Sequence, residues 1–297
     1  MAPTKGSWLS DKTDRWIQFS DIDGLMVNGG GQFDGQGSSW WRDCQGNCPT
    51  ALFFQNCNGL QLREMKHVNS AKNHISINSC NNAIISDLHI IAPKNSPNTD
   101  GIDITGSNNV LIQNSFIETG YDCIALNNGS TNIDIVDVTC GLGHGISIGS
   151  LRENGEFNLI ENIHVRNCLF KDTLYGMTIK TWQGGYGYVR DITFEQITLV
   201  GVNIPIIIDR YYTNLASMRK NKLIGIKVSD VTFREVHGTS ANETVIILNC
   251  SRSRCSNITM ENVSMCTTIP GKEAEAFCEN VDGRFTNVVP TVSCLSN

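Results

Sequence analysis

Four polar residues in the middle of the chain have side chains that could carry out acid–base chemistry. They are Asp100, Asp122, His144 and Lys180. Two carboxyl groups beside an imidazole and a cation suit hydrolysis of a glycosidic bond, because one carboxylic acid can protonate the leaving oxygen while a carboxylate activates water. The sequence therefore predicts a hydrolytic site, provided that the fold brings these residues together.

The spacing of these residues suggests how they could meet. His144 follows Asp122 by the same interval as Asp122 follows Asp100, while longer intervals lead on to Lys180 and then to Tyr212. Intervals of this size correspond to one turn of a solenoid, with the last two turns longer. The spacing predicts that all five side chains form one column on one face of a stack of coils.

Short aliphatic runs that begin with a small polar residue or glycine recur along the chain and predict the fold. They lie at 24–27, 59–62, 82–85, 109–112, 132–135, 162–165, 191–194, 225–228 and 257–260. Each run alternates over a few residues, which indicates several short strands per repeat. A propeller would need antiparallel hairpins and an immunoglobulin-like sandwich would show no fixed period. The pattern predicts an all-β parallel β-helix in which asparagines stack between coils.

The chain is predicted to be a single domain over residues 1–297, with a disulfide-stapled carboxy-terminal cap at about 250–297, where five cysteines cluster. The first strand-like run comes so early that part of the amino-terminal cap is expected to be missing. Twelve cysteines without zinc-finger spacing favour disulfides, an exported protein and no metal site. Acceptor sequences for N-glycosylation agree with export, at Asn128, Asn242, Asn249, Asn257 and Asn262.

Charge and hydropathy exclude two classes of partner. A net charge of −6 argues against nucleic acid. The chain has no apolar run long enough to suggest a membrane helix. No apolar segment follows Met1, so a signal peptide is expected to lie outside this chain.

The order and spacing of the motifs resemble the plant polygalacturonases, the pectin-cleaving family of glycoside hydrolases. The resemblance extends from residues 34–41 through 143–150 and 180–185 to the terminal cysteines. It implies a right-handed parallel β-helix that hydrolyses α-1,4-linked galacturonan with inversion and without a cofactor. It also implies a secreted, monomeric protein of the plant cell wall whose partner is pectic polysaccharide.

In that family the site motifs are Asn-Thr-Asp, Gly-Asp-Asp, Gly-His-Gly and Arg-Ile-Lys, and this chain matches them in part. The resemblance assigns catalysis to Asp100, Asp122 and His144, and substrate binding to Asn98, Lys180 and Tyr212. Arg210 stands where plant members commonly carry glutamine and could add positive charge, so it joins the predicted substrate-binding residues.

Two positions depart from the family motifs. Tyr121 replaces the carboxyl group that acts as the family's general acid, and Thr178 replaces an arginine that holds the substrate carboxylate. A phenol, with a pKa of about 10, is a poor proton donor at acid pH, and losing a positioned acid costs about 10² to 10⁴ in rate. Strongly impaired catalysis is therefore expected, unless another carboxyl group nearby substitutes.

Three functions remain open at this point: a slow pectin hydrolase, a non-catalytic binder of oligogalacturonate, and a β-eliminating lyase. The lyase would need a cluster of Ca²⁺-binding carboxylates and an arginine base, which the sequence does not show. The resemblance further implies disulfides between Cys123 and Cys140, Cys250 and Cys255, and Cys278 and Cys294. The sequence by itself leaves the connectivity undetermined.

Overall fold

A computed structural model describes residues 1–8, 14–43, 48–151, 157–182, 184–210, 225–250 and 254–296. These residues form β-strands and three short 3-10 helices, Lys5–Ser7, Gly37–Ser39 and Trp41–Asp43. The strands are β1 (Arg15–Ser20), β2 (Met26–Asn28), β3 (Gln32–Asp34), β4 (Thr50–Gln55), β5 (Gln61–Arg63), β6 (Lys66–Val68), β7 (Ile75–Asn78), β8 (Asn81–Ser86), β9 (His89–Ile91), β10 (Ile102–Thr105), β11 (Asn108–Glu118), β12 (Ile124–Leu126), β13 (Ser130–Gly141), β14 (Ile146–Leu151), β15 (Phe157–Lys171), β16 (Tyr175–Thr181), β17 (Tyr186–Val202), β18 (Ile204–Asp209), β19 (Lys227–Ser240), β20 (Thr244–Asn249), β21 (Cys255–Thr267), β22 (Glu275–Glu279) and β23 (Val281–Val289). None of the helices in the described part of the chain is long and apolar enough to cross a membrane.

The strands build two parallel sheets that the chain visits in turn. Sheet A contains ten strands in the order β1-β4-β7-β10-β12-β14-β16-β18-β20-β22. Sheet B contains thirteen, and its main path runs β2-β5-β8-β11-β13-β15-β17-β19-β21-β23. Each circuit through the two sheets is one coil, and each coil pairs with the coils before and after it. The predicted all-β, right-handed parallel β-helix is thereby confirmed.

Sheet B bends, so each coil has three faces rather than two. In the early coils β8 and β9 are separate strands that pair with the first and second halves of β11. Between those halves, Asn114 has a φ of +49°, a left-handed conformation that asparagine tolerates better than most residues. One asparagine therefore turns a continuous strand through the corner of the coil.

The asparagine excess has a structural role at such corners. Asn82, Asn109, Asn132 and Asn162 occupy one corner of successive coils, and all have positive φ angles. The Asn109 Nδ2 donates to the Asn82 Oδ1 at 2.6 Å, and the Asn162 amide donates to the Asn132 Oδ1. Each asparagine thus stabilises both its own turn and the stacking of the next coil.

Two substitutions of Asn132 separate the contribution of its side-chain hydrogen bonds from that of its backbone conformation. Asn132→Ala removes the side-chain hydrogen bonds and also places alanine at φ +54°, which costs about 1–2 kcal/mol. Asn132→Gly removes the same hydrogen bonds but tolerates that angle. We expect urea denaturation to show a larger loss of unfolding free energy for the alanine variant. Equal losses in the two variants would contradict a conformational role for this corner.

The core is a ladder of aliphatic side chains that runs along the solenoid axis. Ile102, Ile124, Ile146, Met177 and Ile206 pair in register on consecutive strands of sheet A, and all are fully buried. The same apolar cluster extends from Leu52 to Leu295. Because strand side chains alternate between faces, the residues next to each ladder position point outward, onto the outer face of sheet A.

Candidate active site

The outer face of sheet A carries a row of aligned side chains beside the core ladder. Asp103 on β10 pairs with Ala125, Ala125 with Ser147, and Ser147 with Thr178. A cleft of about 280 Å³ lies over this part of the face, and we call it the sheet A cleft. Its lining includes Asn98, Asp100, Asp103, Tyr121, Asp122 and Lys180.

Asp122 is the most strongly held carboxylate in the cleft. The Lys180 Nζ lies 3.0 Å from its Oδ2 and 3.2 Å from its Oδ1, and the Ser147 hydroxyl donates to Oδ1 at 2.9 Å. Burial by itself would raise the pKa of Asp122, but the Lys180 charge and the neighbouring His144 outweigh it and lower that pKa. Asp122 is therefore an ionised carboxylate throughout the neutral and mildly acidic range.

His144 stands beside Asp122 and packs between two tyrosines. Its Nδ1 is 3.6 Å from the Asp122 Oδ1, and its ring centroid is 4.3 Å from that of Tyr121 and 5.5 Å from that of Tyr175. The glycines on either side permit this close packing. A Cβ on Gly143 would collide with the Tyr121 carbonyl oxygen, and one on Gly145, at φ +69°, would collide with the Gly176 carbonyl oxygen.

Asp100 and Asp103, two further carboxyl groups in the cleft, are hydrogen-bonded to each other. Burial and the neighbouring carboxylates raise the pKa of Asp100 well above its usual value. Burial raises the pKa of Asp103 to about 7, although the hydrogen bond from Asp100 opposes that shift. This pair retains protons at a pH where Asp122 is ionised. One site thus holds both a proton donor and a proton acceptor.

Asp103 was not among the residues predicted from the sequence. A signal for it does exist, since an acid between the buried Ile102 and Ile104 occupies an outward position of the strand. It is only 9% exposed, which is unusual for a carboxyl group without a cation bonded to it.

The predicted column of five side chains is correct in its first half. Asp100, Asp122 and His144 each lie two residues before β10, β12 and β14, whose first residues pair in register. Lys180 departs from the column, because the next coil is shorter than assumed and His144 is level with Tyr175 instead. Lys180 lies further along β16 and its side chain reaches Asp122 from there.

The other predicted substrate contacts have different environments. Asn98 lines the sheet A cleft, whereas Tyr212 lies outside the described residues. The Arg210 guanidinium is 1% exposed and donates to the carbonyl oxygens of Arg254, at 3.0 Å, and of Ile226. Arg210 is therefore buried among main-chain acceptors, so the expectation that it presents positive charge to substrate is not supported.

At the two positions that depart from the family motifs, neither side chain supplies the missing group. Tyr121 lines the cleft with its ring against His144. Thr178 is 2% exposed, and its hydroxyl has no hydrogen-bond partner in the part of the chain that the structure describes. Across the described ranges, no group of three or more His, Cys, Asp or Glu side chains is arranged to hold a metal ion.

Three disulfides with the pairing implied by the resemblance are present. Cys123, directly after Asp122, is bonded to Cys140 at the end of β13. This bond links the turn that carries Asp122 to the end of β13. Cys250–Cys255 and Cys278–Cys294 lie in the last coils.

The chain is similar to one protein family along nearly its whole length. The model described as Glycosyl hydrolases family 28 matches residues 4–294. A probable polygalacturonase of Arabidopsis thaliana is 48% identical over 99% of this chain and 65% of its own length. The polygalacturonase of Persea americana is 37% identical over 93% of this chain and 62% of its own. This chain thus spans slightly less than two thirds of the length of these curated relatives.

Among solved structures, the polygalacturonase from Erwinia carotovora ssp. carotovora superimposes with a TM-score of 0.76 at 25% identity. The superposition covers 93% of this chain and 75% of that structure.

Proposed function

The chain belongs to glycosyl hydrolases family 28, and on that premise we propose that it hydrolyses homogalacturonan, the α-1,4-linked galacturonate polymer of pectin. One observation carries the proposal. Asp122 is ionised and held by Lys180 at 3.0 Å, while Asp100 in the same cleft retains its proton. Carboxyl groups whose pKa values are separated in this way are what acid–base cleavage of a glycosidic bond requires.

The roles of the cleft residues follow from their charges. Asp122 accepts a proton from the water that attacks the anomeric carbon, because Lys180 and Ser147 keep it ionised without occupying all its acceptor positions. His144, 3.6 Å from Asp122, supports the same carboxylate. Lys180 also brings positive charge to a cleft that receives an anionic polymer. Asn98 on the cleft wall is placed to hydrogen-bond sugar hydroxyls.

We further propose that hydrolysis is slow. The Tyr121 phenol occupies the position from which the resemblance expects a carboxylic acid, and its ring packs on His144. Thr178 contributes no charge where the resemblance expects an arginine, so one cation for the substrate carboxylate is lost. Arginine binds a carboxylate through two parallel hydrogen bonds, which threonine cannot replace.

The same two substitutions support a second candidate, a protein that binds oligogalacturonate without cleaving it. In that case the cleft, Lys180 and His144 hold the polymer while no group protonates the leaving oxygen. Both candidates place the protein in the plant cell wall. The three disulfides described above support such an oxidising, extracellular location.

Release of reducing ends from polygalacturonic acid at about pH 5 tests the hydrolase. We expect release that is weak, yet clearly above that of an Asp100→Asn, Asp122→Asn double variant shown to be folded by circular dichroism. Calorimetric titration with oligogalacturonate is run in parallel on both proteins. Binding without release would establish the non-catalytic candidate, and neither binding nor release by folded protein would contradict both.

A further inference from the structure

We propose that Asp103 is the general acid of this hydrolase, replacing the carboxyl group that the resemblance expects at Tyr121. The inference rests on the proposed function and identifies which of the two protonated carboxyl groups in the cleft donates the proton. It assigns Asp122 as the base and Asp100 as the residue that positions Asp103.

The position of Asp103 supports this role. It lies on the outward side of β10, between the buried Ile102 and Ile104, and lines the sheet A cleft together with Asp100 and Asp122. Its neighbour on the next strand is Ala125, which also lines the cleft and projects only a methyl group. A rigid strand within the sheet therefore fixes the Asp103 carboxyl group next to the base.

Among the described residues, no cation is hydrogen-bonded to the Asp103 carboxyl group. Asp100 is its hydrogen-bond partner, whereas Lys72 and Lys180 act on it through their charge alone. A carboxyl group that is 9% exposed and has no bonded cation favours its protonated form. Asp103 can therefore give its proton to the glycosidic oxygen of a substrate bound in the sheet A cleft.

Burial is the largest influence that favours the protonated form of Asp103. The like charge of Asp122 adds to it, whereas the hydrogen bond from Asp100 and the opposite charges of Lys72 and Lys180 oppose it. Lys180, however, is bonded to both oxygens of Asp122 and so stabilises that carboxylate first. The outcome is a pKa of about 7 for Asp103 beside a lowered pKa for Asp122. At acid pH, Asp103 is then the donor and Asp122 the acceptor.

The other acidic groups at the cleft are less suitable. The Tyr121 phenol has an unperturbed pKa of about 10 in water and gives up its proton poorly. The His144 Nδ1 lies 3.6 Å from Asp122, so a proton on that ring is drawn toward the base.

The bond changes balance. Asp103 gives its proton to the glycosidic oxygen as the bond between that oxygen and the anomeric carbon breaks, with the electron pair leaving on the oxygen. Asp122 takes one proton from a water molecule, whose oxygen bonds to the anomeric carbon. One water is consumed and two sugar chain ends form. Asp103 regains a proton from solvent and Asp122 returns one, which resets the site.

Comparing two substrates distinguishes a residue that donates the proton from one that only maintains the structure. Polygalacturonate has a sugar leaving group that needs a proton, whereas a 4-nitrophenyl α-galacturonide releases a stabilised phenolate without one. We expect Asp103→Asn to lower kcat on the polymer by about 10² to 10⁴ and on the aryl substrate by less than about tenfold. Asp122→Asn should lower both strongly. The exposed Asp282 provides a matched control, Asp282→Asn, which should retain both activities.

The wild-type pH profile provides a second readout. The kcat for the polymer should fall above about pH 7, as Asp103 loses its proton, while the kcat for the aryl substrate should not. Equal losses on the two substrates in folded Asp103→Asn, or no loss on either, would overturn the acid role and leave the hydrolase intact. Wild-type protein that binds oligogalacturonate and cleaves neither substrate would overturn both.

Discussion

Tyr121→Asp is expected to raise polygalacturonate hydrolysis at acid pH by about 10²-fold, because a well-placed general acid contributes about 10² to 10⁴ in rate. The substitution places a carboxyl group next to Asp122 and removes the ring that packs on His144 at 4.3 Å. The like charge of Asp122 and partial burial both raise the pKa of the new carboxyl group, so it retains its proton. Initial rates of reducing-end release at about pH 5 measure the gain.

Tyr121→Asn is the matched control for this gain. Asparagine has nearly the shape of aspartate and also removes the phenol, but it cannot act as an acid. It should therefore give no comparable increase. If folded Tyr121→Asp is no faster than Tyr121→Asn, then Tyr121 does not occupy the acid position.

Adding Thr178→Arg should increase the gain, mainly through a lower KM. Thr178 lies two residues before Lys180 on the same face of β16, so an arginine there could hold the carboxylate of a bound galacturonate beside the reacting bond. Because Thr178 is buried, the double variant must first be shown to unfold at a temperature close to that of Tyr121→Asp. An unchanged KM in the folded double variant would contradict a substrate-facing role for this position.

The Tyr121→Asp background also tests the role of Asp103 independently. If the new carboxyl group takes over proton donation, Asp103→Asn should cost much less in this background than in the wild type. Equal costs in both backgrounds would indicate that Asp103 acts through structure, since independent effects are additive.

The fold could be predicted because its determinants are local and repeated. Aliphatic alternation, a glycine or small polar residue before each run and the recurrence of the runs are all visible in the sequence, and each coil resembles its neighbours. The asparagine corners are equally local, since Asn114 or Asn132 adopts a positive φ that few other residues tolerate. The local conformational preferences agree with the overall fold, so the fold of such a chain can be predicted from its sequence.

The site was harder to predict because its geometry depends on coil length. The spacing placed Asp100, Asp122 and His144 on successive coils, where coils are uniform. It failed at Lys180, because the whole interval from His144 to Lys180 was taken as one coil, whereas Ile146 pairs with Met177 and Lys180 lies further along β16. A residue count does not show which strand positions pair.

Asp103 and Arg210 show a different limit. Asp103 lies within an apolar run and Arg210 directly follows one, and the sequence does not distinguish a charged residue that faces a cleft from one that is buried. Arg210 is buried and bonded to main-chain carbonyl oxygens, whereas Asp103 lines the sheet A cleft. The family motifs identify candidate site residues only at their own positions, and these positions do not include Asp103.

Lys180→Met is expected to abolish hydrolysis and also to destabilise the fold by about 3–5 kcal/mol at neutral pH, the cost of removing one partner from a buried ion pair. Lys180 is 3% exposed and bonded to both oxygens of Asp122, so methionine would preserve the packing while leaving that carboxylate buried without its cation. Urea denaturation at several pH values measures the effect, with Lys171→Met on an exposed lysine as the control.

The pH dependence of that loss identifies its cause. The pKa of Asp122 is lowered in the folded protein, so Asp122 stabilises the wild type above its unfolded pKa of about 4, and this contribution disappears as pH falls through the folded pKa. Without Lys180 the contribution is absent at every pH. The difference between wild type and Lys180→Met should therefore be largest near neutrality and shrink as the medium becomes more acidic than the folded pKa of Asp122. A difference independent of pH would mean that Lys180 stabilises the fold through its packing, and that Asp122 does not depend on Lys180 for its charge.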